Sequence, residues 1–328
     1  MKGVSLILGL LCIAAGIFFA WFVPRAWLWK GTGNAVSVTV ADGWTCAQTG
    51  AELERVGIID SASGYRFYAH LDETASHPKA GVYPLLPHSS YQSVARLLAF
   101  GPPRNEVKIT VPEGWSIAEI NNALVQYNAV IPKTIPDILR TKYPFLTALP
   151  SDASLEGYLF PDTYRVYADQ LPQSLIAKQL DEFAKREPQL SADARAAGRS
   201  LSDVVILASI VEKEVSDPAD RKIVAGIFWN RLKLGMALQS DATVNYITNG
   251  GRTRPTLDDL ETESAYNTYK HPGLPPGPIS NPGDTALDAA VHPTATSYLY
   301  FLTDDAGRTY FARTFAEHQQ NRIKAFGR

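Results

Sequence analysis

Cysteine is almost missing from this chain of 328 residues. Cys12 and Cys46 are the only two, so neither a disulfide scaffold nor a cysteine-built zinc site can hold the fold. A surplus of charge of one sign is missing as well. Thirty-one Lys and Arg stand against 33 Asp and Glu, a net charge of −2, and that near-balance excludes a nucleic-acid binder, whose phosphate contacts demand a basic excess. There is no phosphate-cradling loop, no HExxH, no G-x-S-x-G elbow and no EF-hand loop. His70, His77, His88, His271, His292 and His318 are scattered, so no metal centre is expected, and no cofactor. Composition, with 45% hydrophobic and 20% charged residues, excludes disorder and collagen-like repeats. The length suits about two domains of roughly 150 residues.

A long apolar run occurs once. Val4 to Val23 carries no charge, and at about 1.5 Å per residue it spans a hydrocarbon core of about 30 Å. Lys2 precedes it, and Trp21, Trp27 and Trp29 stand at its far end, where indoles favour the membrane interface. A cleaved signal peptide would have a shorter apolar core and a small-x-small cleavage site; here Pro24, Arg25, Ala26 and Trp27 follow. Leu11 before Cys12 argues against a lipoprotein signal. Residues 1–30 are therefore expected to be an uncleaved single-pass anchor, with everything after residue 30 on one side of the membrane. The charge rule does not set the orientation, since Lys2 and the amino terminus oppose Arg25 and Lys30.

Two stretches match at an offset of 71 residues, one starting at Val36 and the other at Val107. Each reads as an alternating strand, an acidic-Gly-Trp turn (Asp42-Gly43-Trp44, Glu113-Gly114-Trp115) and a capping Thr45 or Ser116, with a leucine eight residues on (Leu53, Leu124). Ser116 and Glu119 fit a capping box. Ser89-Ser90 opens a helix over 91–100, stopped by Gly101. Residues 31–130 thus read as a small α+β module in two related parts, suited to binding or spacing. Residues 131–328 are richer in helix and in Pro/Gly loops. The strongest helix is expected over 202–215, and Asp217-Pro218 opens another, closed near Gly235. A final strand at 297–302 turns at Asp304–Gly307 into Thr309-Tyr310-Phe311.

What remains for chemistry is carboxylate. At about 100° per residue, Glu214 shares the face of Leu207, Ile210 and Val211, whereas Glu212 lies beside Val205, Ala208 and Ser209, a more mixed edge. An apolar setting would raise the pKa of Glu214, as a general acid requires. Equally, Glu214 could end a buried helix and turn to solvent or to an arginine. Gln239-Ser240-Asp241, Asn245-Tyr246 and Tyr266-Asn267-Thr268-Tyr269 stand where loops could converge. The aromatic stretch from Glu156 to Tyr164 suits either a sugar groove or the core.

Leu207–Glu214, Phe228-Trp229-Asn230-Arg231-Leu232, Leu238-Gln239-Ser240-Asp241, Tyr266–Tyr269 and Gly273–Ile279 occur in that order. Together with Glu156–Tyr164, Tyr298–Phe301 and the single anchor, they resemble the YceG-like endolytic murein transglycosylases of bacteria over nearly the whole chain. Lys79–Tyr83 resembles part of that family's LysM-like module. The resemblance implies an α+β protein with a transmembrane helix, a LysM-like module and a lysozyme-like, mainly helical catalytic domain with β additions. It implies a place in the inner membrane with the soluble part periplasmic, action on peptidoglycan glycan strands to leave 1,6-anhydro-MurNAc ends, and a part in ending nascent strands. It further implies contact with the wall-synthesis machinery, penicillin-binding proteins among it. The family's catalytic glutamate maps to Glu214; Gln239, Asp241, Tyr266, Asn267 and Tyr269 are candidates to hold the sugar and the acid. Ala242 departs from the pattern, which leads one to expect proline there; the departure is expected to affect only a turn. Two readings compete. A hydrolytic muramidase would need a second carboxylate, with Glu212, Asp241 or Asp162 as nominees, and a non-catalytic, membrane-tethered glycan-binding scaffold would need none.

Overall fold

The structure, a computed structural model, describes residues 2–103, 105–248 and 255–327. It combines helices with three two-stranded antiparallel sheets among the described residues, and it divides into two compact units, Met1–Arg104 and Asn105–Arg328.

In the first unit, helix α1 (Lys2–Val23) continues without a break into the π-wound segment Pro24–Leu28. The stretch Leu10–Leu28 is long and apolar enough to cross a membrane, and Ile13 and Ile17 are more than 60% exposed. Strand β1 (Val36–Val40), helices α2 (Cys46–Arg55) and α3 (Ala62–Leu71), strand β2 (Gly81–Leu85) and helix α4 (Tyr91–Phe100) follow. β1 pairs antiparallel with β2, from Val36 opposite Leu85 to Val40 opposite Gly81. The alternation in β1 works as expected: Val38 and Val40 are buried while Ser37 and Thr39 are not. Ser90 caps α4 and Gly101 closes it. The core is rich in tyrosine, with Tyr65, Tyr68, Tyr83 and Tyr91 all buried, and the end of α1 belongs to it through Phe22 and Ala26.

The second unit opens with strand β3 (Glu106–Val111) and helices α5 (Ile117–Leu124) and α6 (Asp137–Lys142). Strand β4 (Asp162–Tyr167) and helices α7 (Gln173–Ala196), α8 (Leu201–Glu214), α9 (Pro218–Lys233), α10 (Asp241–Thr248), α11 (Leu257–Leu260) and α12 (Asp284–Val291) come next. Hairpin β5 (Tyr300–Thr303)–β6 (Thr309–Ala312) and α13 (Phe315–Phe326) complete it.

The boundary expected at residue 130 lies instead at 104. β3 forms its ladder with β4, from Glu106 opposite Tyr167 to Val111 opposite Asp162, and Ile109, Val111, Ile120 and Leu124 sit in the core of the second unit. The two matched stretches do share their local form. Thr45 with Gln48, and Ser116 with Glu119, each make a complete capping box, a device that contributes about 1 kcal/mol to a helix start. Leu53 and Leu124 are both fully buried. The copies belong to different units, however, because each strand finds a different partner. They are one local motif used twice, and the two-part module expected over 31–130 is absent.

α8 is the central helix of the second unit. Every residue from Val204 to Val211 is buried, and α7, α9, α10 and α12 pack around it. A helix that is apolar on all sides belongs inside. Its first turn is fixed by a capping box between Ser200 and Asp203, and Asp217 caps α9 from just beyond its end.

Candidate functional site

The last turn of α8 brings two carboxyls to the edge of the core, and their partners separate them. Glu212 is only 5% exposed at its side chain and is ion-paired with the equally enclosed Arg221. It also accepts the Gly283 amide at 3.0 Å. A Cβ at Gly283 would meet the exposed end of the Glu113 side chain, which would have to swing aside. Glu212 is therefore fully used in tying α8 to α9 and to the start of α12.

Glu214 faces the start of α10 instead. It accepts a hydrogen bond from the Ser240 hydroxyl, and the nearby Ala242 backbone N–H favours its charged form. A helix N-terminus favours the carboxylate, and so does nearby Arg231. Burial opposes them and wins, and the neighbouring charge of Asp241 adds to it, so the Glu214 pKa is pushed up to about 7. A carboxyl that is half protonated near neutral pH can both give and take a proton. The contrast between an apolar and a mixed edge of α8 does not separate the two glutamates, since the helix is enclosed on all sides; identity of partner does. The departure at Ala242 also matters more than a turn, because proline there would have no N–H near Glu214.

The platform beneath Glu214 is held by backbone and hydroxyl contacts. Ser240 is buried, its amide bonded to Thr268 Oγ1 at 3.0 Å, and Thr268 Oγ1 lies 2.9 Å from Thr243 Oγ1. Gln239 adopts the left-handed region at φ 53°, a position that costs a non-glycine residue of order 1 kcal/mol or more. Its amide donates to Thr268 O at 3.1 Å. Arg231, 7% exposed, donates to Leu238 O at 2.7 Å and to Leu299 O at 2.7 Å, so it joins α9 to this loop and to the segment entering β5.

The candidate sugar-holding residues divide. Asp241 begins α10 beside Glu214 and accepts the Tyr269 hydroxyl at 2.5 Å, while Gln239 is exposed at the loop tip. Tyr266 is half-buried, its ring 5.3 Å from that of Tyr246. Asn267 is enclosed. Its amide nitrogen donates to Leu260 O and Thr262 O, and its oxygen accepts the Tyr269 amide. With every polar atom occupied it holds a loop, and it is not available to a sugar. The aromatic stretch likewise is core: Tyr158, Phe160 and Tyr164 are buried. Of the nominees for a second carboxylate, Glu212 is consumed by Arg221, and Asp162 sits exposed in β4 with Oδ1 on the Thr163 amide.

The structure adds a residue that sequence reasoning left unassigned. Glu156 is 3% exposed and accepts the Ile117 amide at 3.0 Å, the Asn281 side-chain amide at 3.0 Å and the Tyr246 hydroxyl at 3.4 Å. Burial outweighs these donors and pushes its pKa up to about 8. Asn281 is the matching hub. Its Oδ1 accepts from the Gly157 and Leu159 amides at 2.9 and 3.0 Å, and its Nδ2 donates to Trp115 O at 2.9 Å. Gly157, at φ 86°, lies so close to Pro278 and Val205 that a Cβ would come within 2.5 Å of the proline ring. In the sequence, Ser240 stands between Gln239 and Asp241, Arg231 lies in the Phe228–Leu232 run, and Glu156 is marked by an acid followed by glycine and three aromatic or apolar residues.

Comparison with known proteins agrees with the sequence resemblance. The YceG-like family matches residues 38–324. An endolytic murein transglycosylase of Bacillus subtilis (strain 168) is 30% identical over 310 residues, covering 90% of this chain and 86% of that protein. One from Streptococcus pneumoniae serotype 2 is 28% identical and covers 97% of this chain, which spans 64% of the length of that relative. Among solved structures, a putative yceG-like protein from Listeria monocytogenes aligns at a TM-score of 0.58 and 30% identity, over 88% of this chain and all of that one.

Proposed function

The chain belongs to the YceG-like family, and from that premise we propose that it is a membrane-anchored endolytic lytic transglycosylase in which Glu214 is the catalytic acid and base. The observation that carries this reading is a partly buried carboxyl at the end of a buried helix, held by the Ser240 hydroxyl at the start of α10 and still raised to about 7. Protonated, Glu214 donates to the glycosidic oxygen between MurNAc and GlcNAc. As a carboxylate it then takes the proton of the MurNAc 6-hydroxyl, which attacks C1 and closes the 1,6-anhydro ring. The nucleophile belongs to the substrate, so one carboxyl suffices where ordinary glycosidases need two. The Ser240 hydroxyl holds the carboxyl through both steps, with the Ala242 amide nearby. Gln239, Asp241, Tyr266 and Tyr269 are the groups around it for the sugar.

The strand–helix–helix–strand order of β1, α2, α3 and β2 supports a LysM-like reading of the first unit, and the central buried helix bearing an acid supports a lysozyme-like reading of the second. With α1 as the anchor, the soluble part stands on the periplasmic side of the inner membrane. There it meets nascent strands, which it ends, and the wall-synthesis machinery, penicillin-binding proteins among it. Asp241 favours a second reading, hydrolysis, since a carboxylate beside Glu214 could position a water. Product analysis by mass spectrometry separates the two: anhydro ends support transglycosylation, and reducing ends heavier by one water support hydrolysis. Glu214→Gln should abolish cleavage with the fold intact, and near-normal activity in that variant would defeat the assignment.

A further inference from the structure

We propose that the exposed face of α3 is seated in the membrane's lipid–water interface, with Phe67 and Leu71 among the acyl chains of the leaflet and Arg66 and His70 at the headgroups. The proposal rests on reading α1 as a membrane span. α3 presents two contrasting sides. Tyr65 and Tyr68 point into the core with at most 1% exposure, while Phe67 and Leu71, one turn apart on the other side, are 44% and 60% exposed. A helix facing water would carry polar groups at such positions. Arg66 and His70 are exposed beside them, the pattern of a helix that lies in an anionic interface.

The depth follows from contacts with α1. The Phe67 ring stands edge-on to Phe18 at 5.5 Å and to Phe22 at 5.1 Å. One turn earlier in α3, Gly64 faces Trp21, whose ring a Cβ at 64 would approach to 3.2 Å. Gly64 is thus beside Trp21 and Phe67 between Phe18 and Phe22, so this side of α3 lies against the last turns of the span. At about 1.5 Å per residue, Phe18 and Phe22 both lie within roughly 8 Å of the end of α1, inside the depth to which interfacial helices bury their apolar face.

Contacts at the junction tie the unit to the end of the span. Phe22 and Ala26 are buried in its core, and Arg25 lies between the Trp21 and Trp29 rings while pairing with Asp60 at 3.3 Å. The partner is a lipid leaflet, continuous with the one α1 crosses.

The test places nitroxides on the full chain, with Cys12→Ser and Cys46→Ser as background, in vesicles of phosphatidylethanolamine and phosphatidylglycerol. Ile13→Cys reports the span; Ser63→Cys, Phe67→Cys and Leu71→Cys report three successive turns of α3. The measurement is collision with oxygen relative to a water-soluble nickel chelate. The expected ratio is several-fold higher at 67 and 71 than at 63, with 13 deep in lipid. Nickel access at 67 and 71 equal to that at 63, with 13 in lipid, would overturn the seat and leave the span standing. Nickel access at 13 as well would overturn the span, and the seat with it.

Discussion

Replacing Ser240 with alanine removes one donor from Glu214 and nothing else that the loop needs, since the Ser240 amide and carbonyl keep their bonds to Thr268 and Thr243. The hydroxyl stabilises the carboxylate, so its loss raises the pKa. A hydrogen bond to a charged group contributes about 1.5–3 kcal/mol, and about 1.4 kcal/mol is one pKa unit. The variant should therefore titrate roughly one to two units above the native value of about 7. In the proposed reaction the first chemical step needs the protonated acid, so the alkaline limb of kcat/KM against pH should move upward by the same amount. At pH 8 the native enzyme keeps about a tenth of its protonated form and the variant about half or more. The plateau falls a few-fold, because a weaker acid donates less readily. The assay is release of soluble fragments from purified glycan strands across pH 5 to 10. An alkaline limb that stays in place, or moves down, would refute this account of how Glu214 is held.

Ala242→Pro deletes the nearby N–H while staying in the first turn of α10, where proline is tolerated, and it should move the same limb in the same direction. Glu156 provides a separate test by chemical denaturation. Its folded pKa, about 8, stands above the ordinary 4.5, so the stability it contributes is complete below about pH 4.5 and lost as pH rises through 8, a term on the order of 4 kcal/mol. Glu156→Gln should flatten that decline and outlast the native protein at pH 9 while matching it near pH 5. Glu212→Gln leaves Arg221 buried without its counter-charge and should cost about 3–5 kcal/mol of stability, read by thermal unfolding, whereas Glu214→Gln should leave the melting temperature level or raised.

Local structure was legible wherever a short-range device decides it. Ser90 and Gly101 bound α4 at the residues expected, Asp217 caps α9, and both acidic-Gly-Trp turns lead into capped helices. Pairing across distance was not legible. Nothing in Val107–Val111 announces that its partner is Asp162–Tyr167 and not the neighbouring module. Position in the helix does not separate Glu214 from Glu212; what separates them is Arg221, nine residues on, and Gly283, far beyond. Polar residues mislead for the same cause. Asn267 and Tyr269 read alike as sugar-holding groups, and only the loop's closure decides that one amide is enclosed.

Asn281 also bears on the order in which the second unit can be completed. Its side chain and backbone satisfy Gly114, Trp115, Gly157 and Leu159, residues 122 to 167 positions earlier in the chain. Contacts of such separation form late, since the loop between them must first be closed at an entropic cost. Until residue 281 has been made, the turn before α5 and the loop before β4 lack their closing partner. The second unit is in this way closed only after most of it has been made.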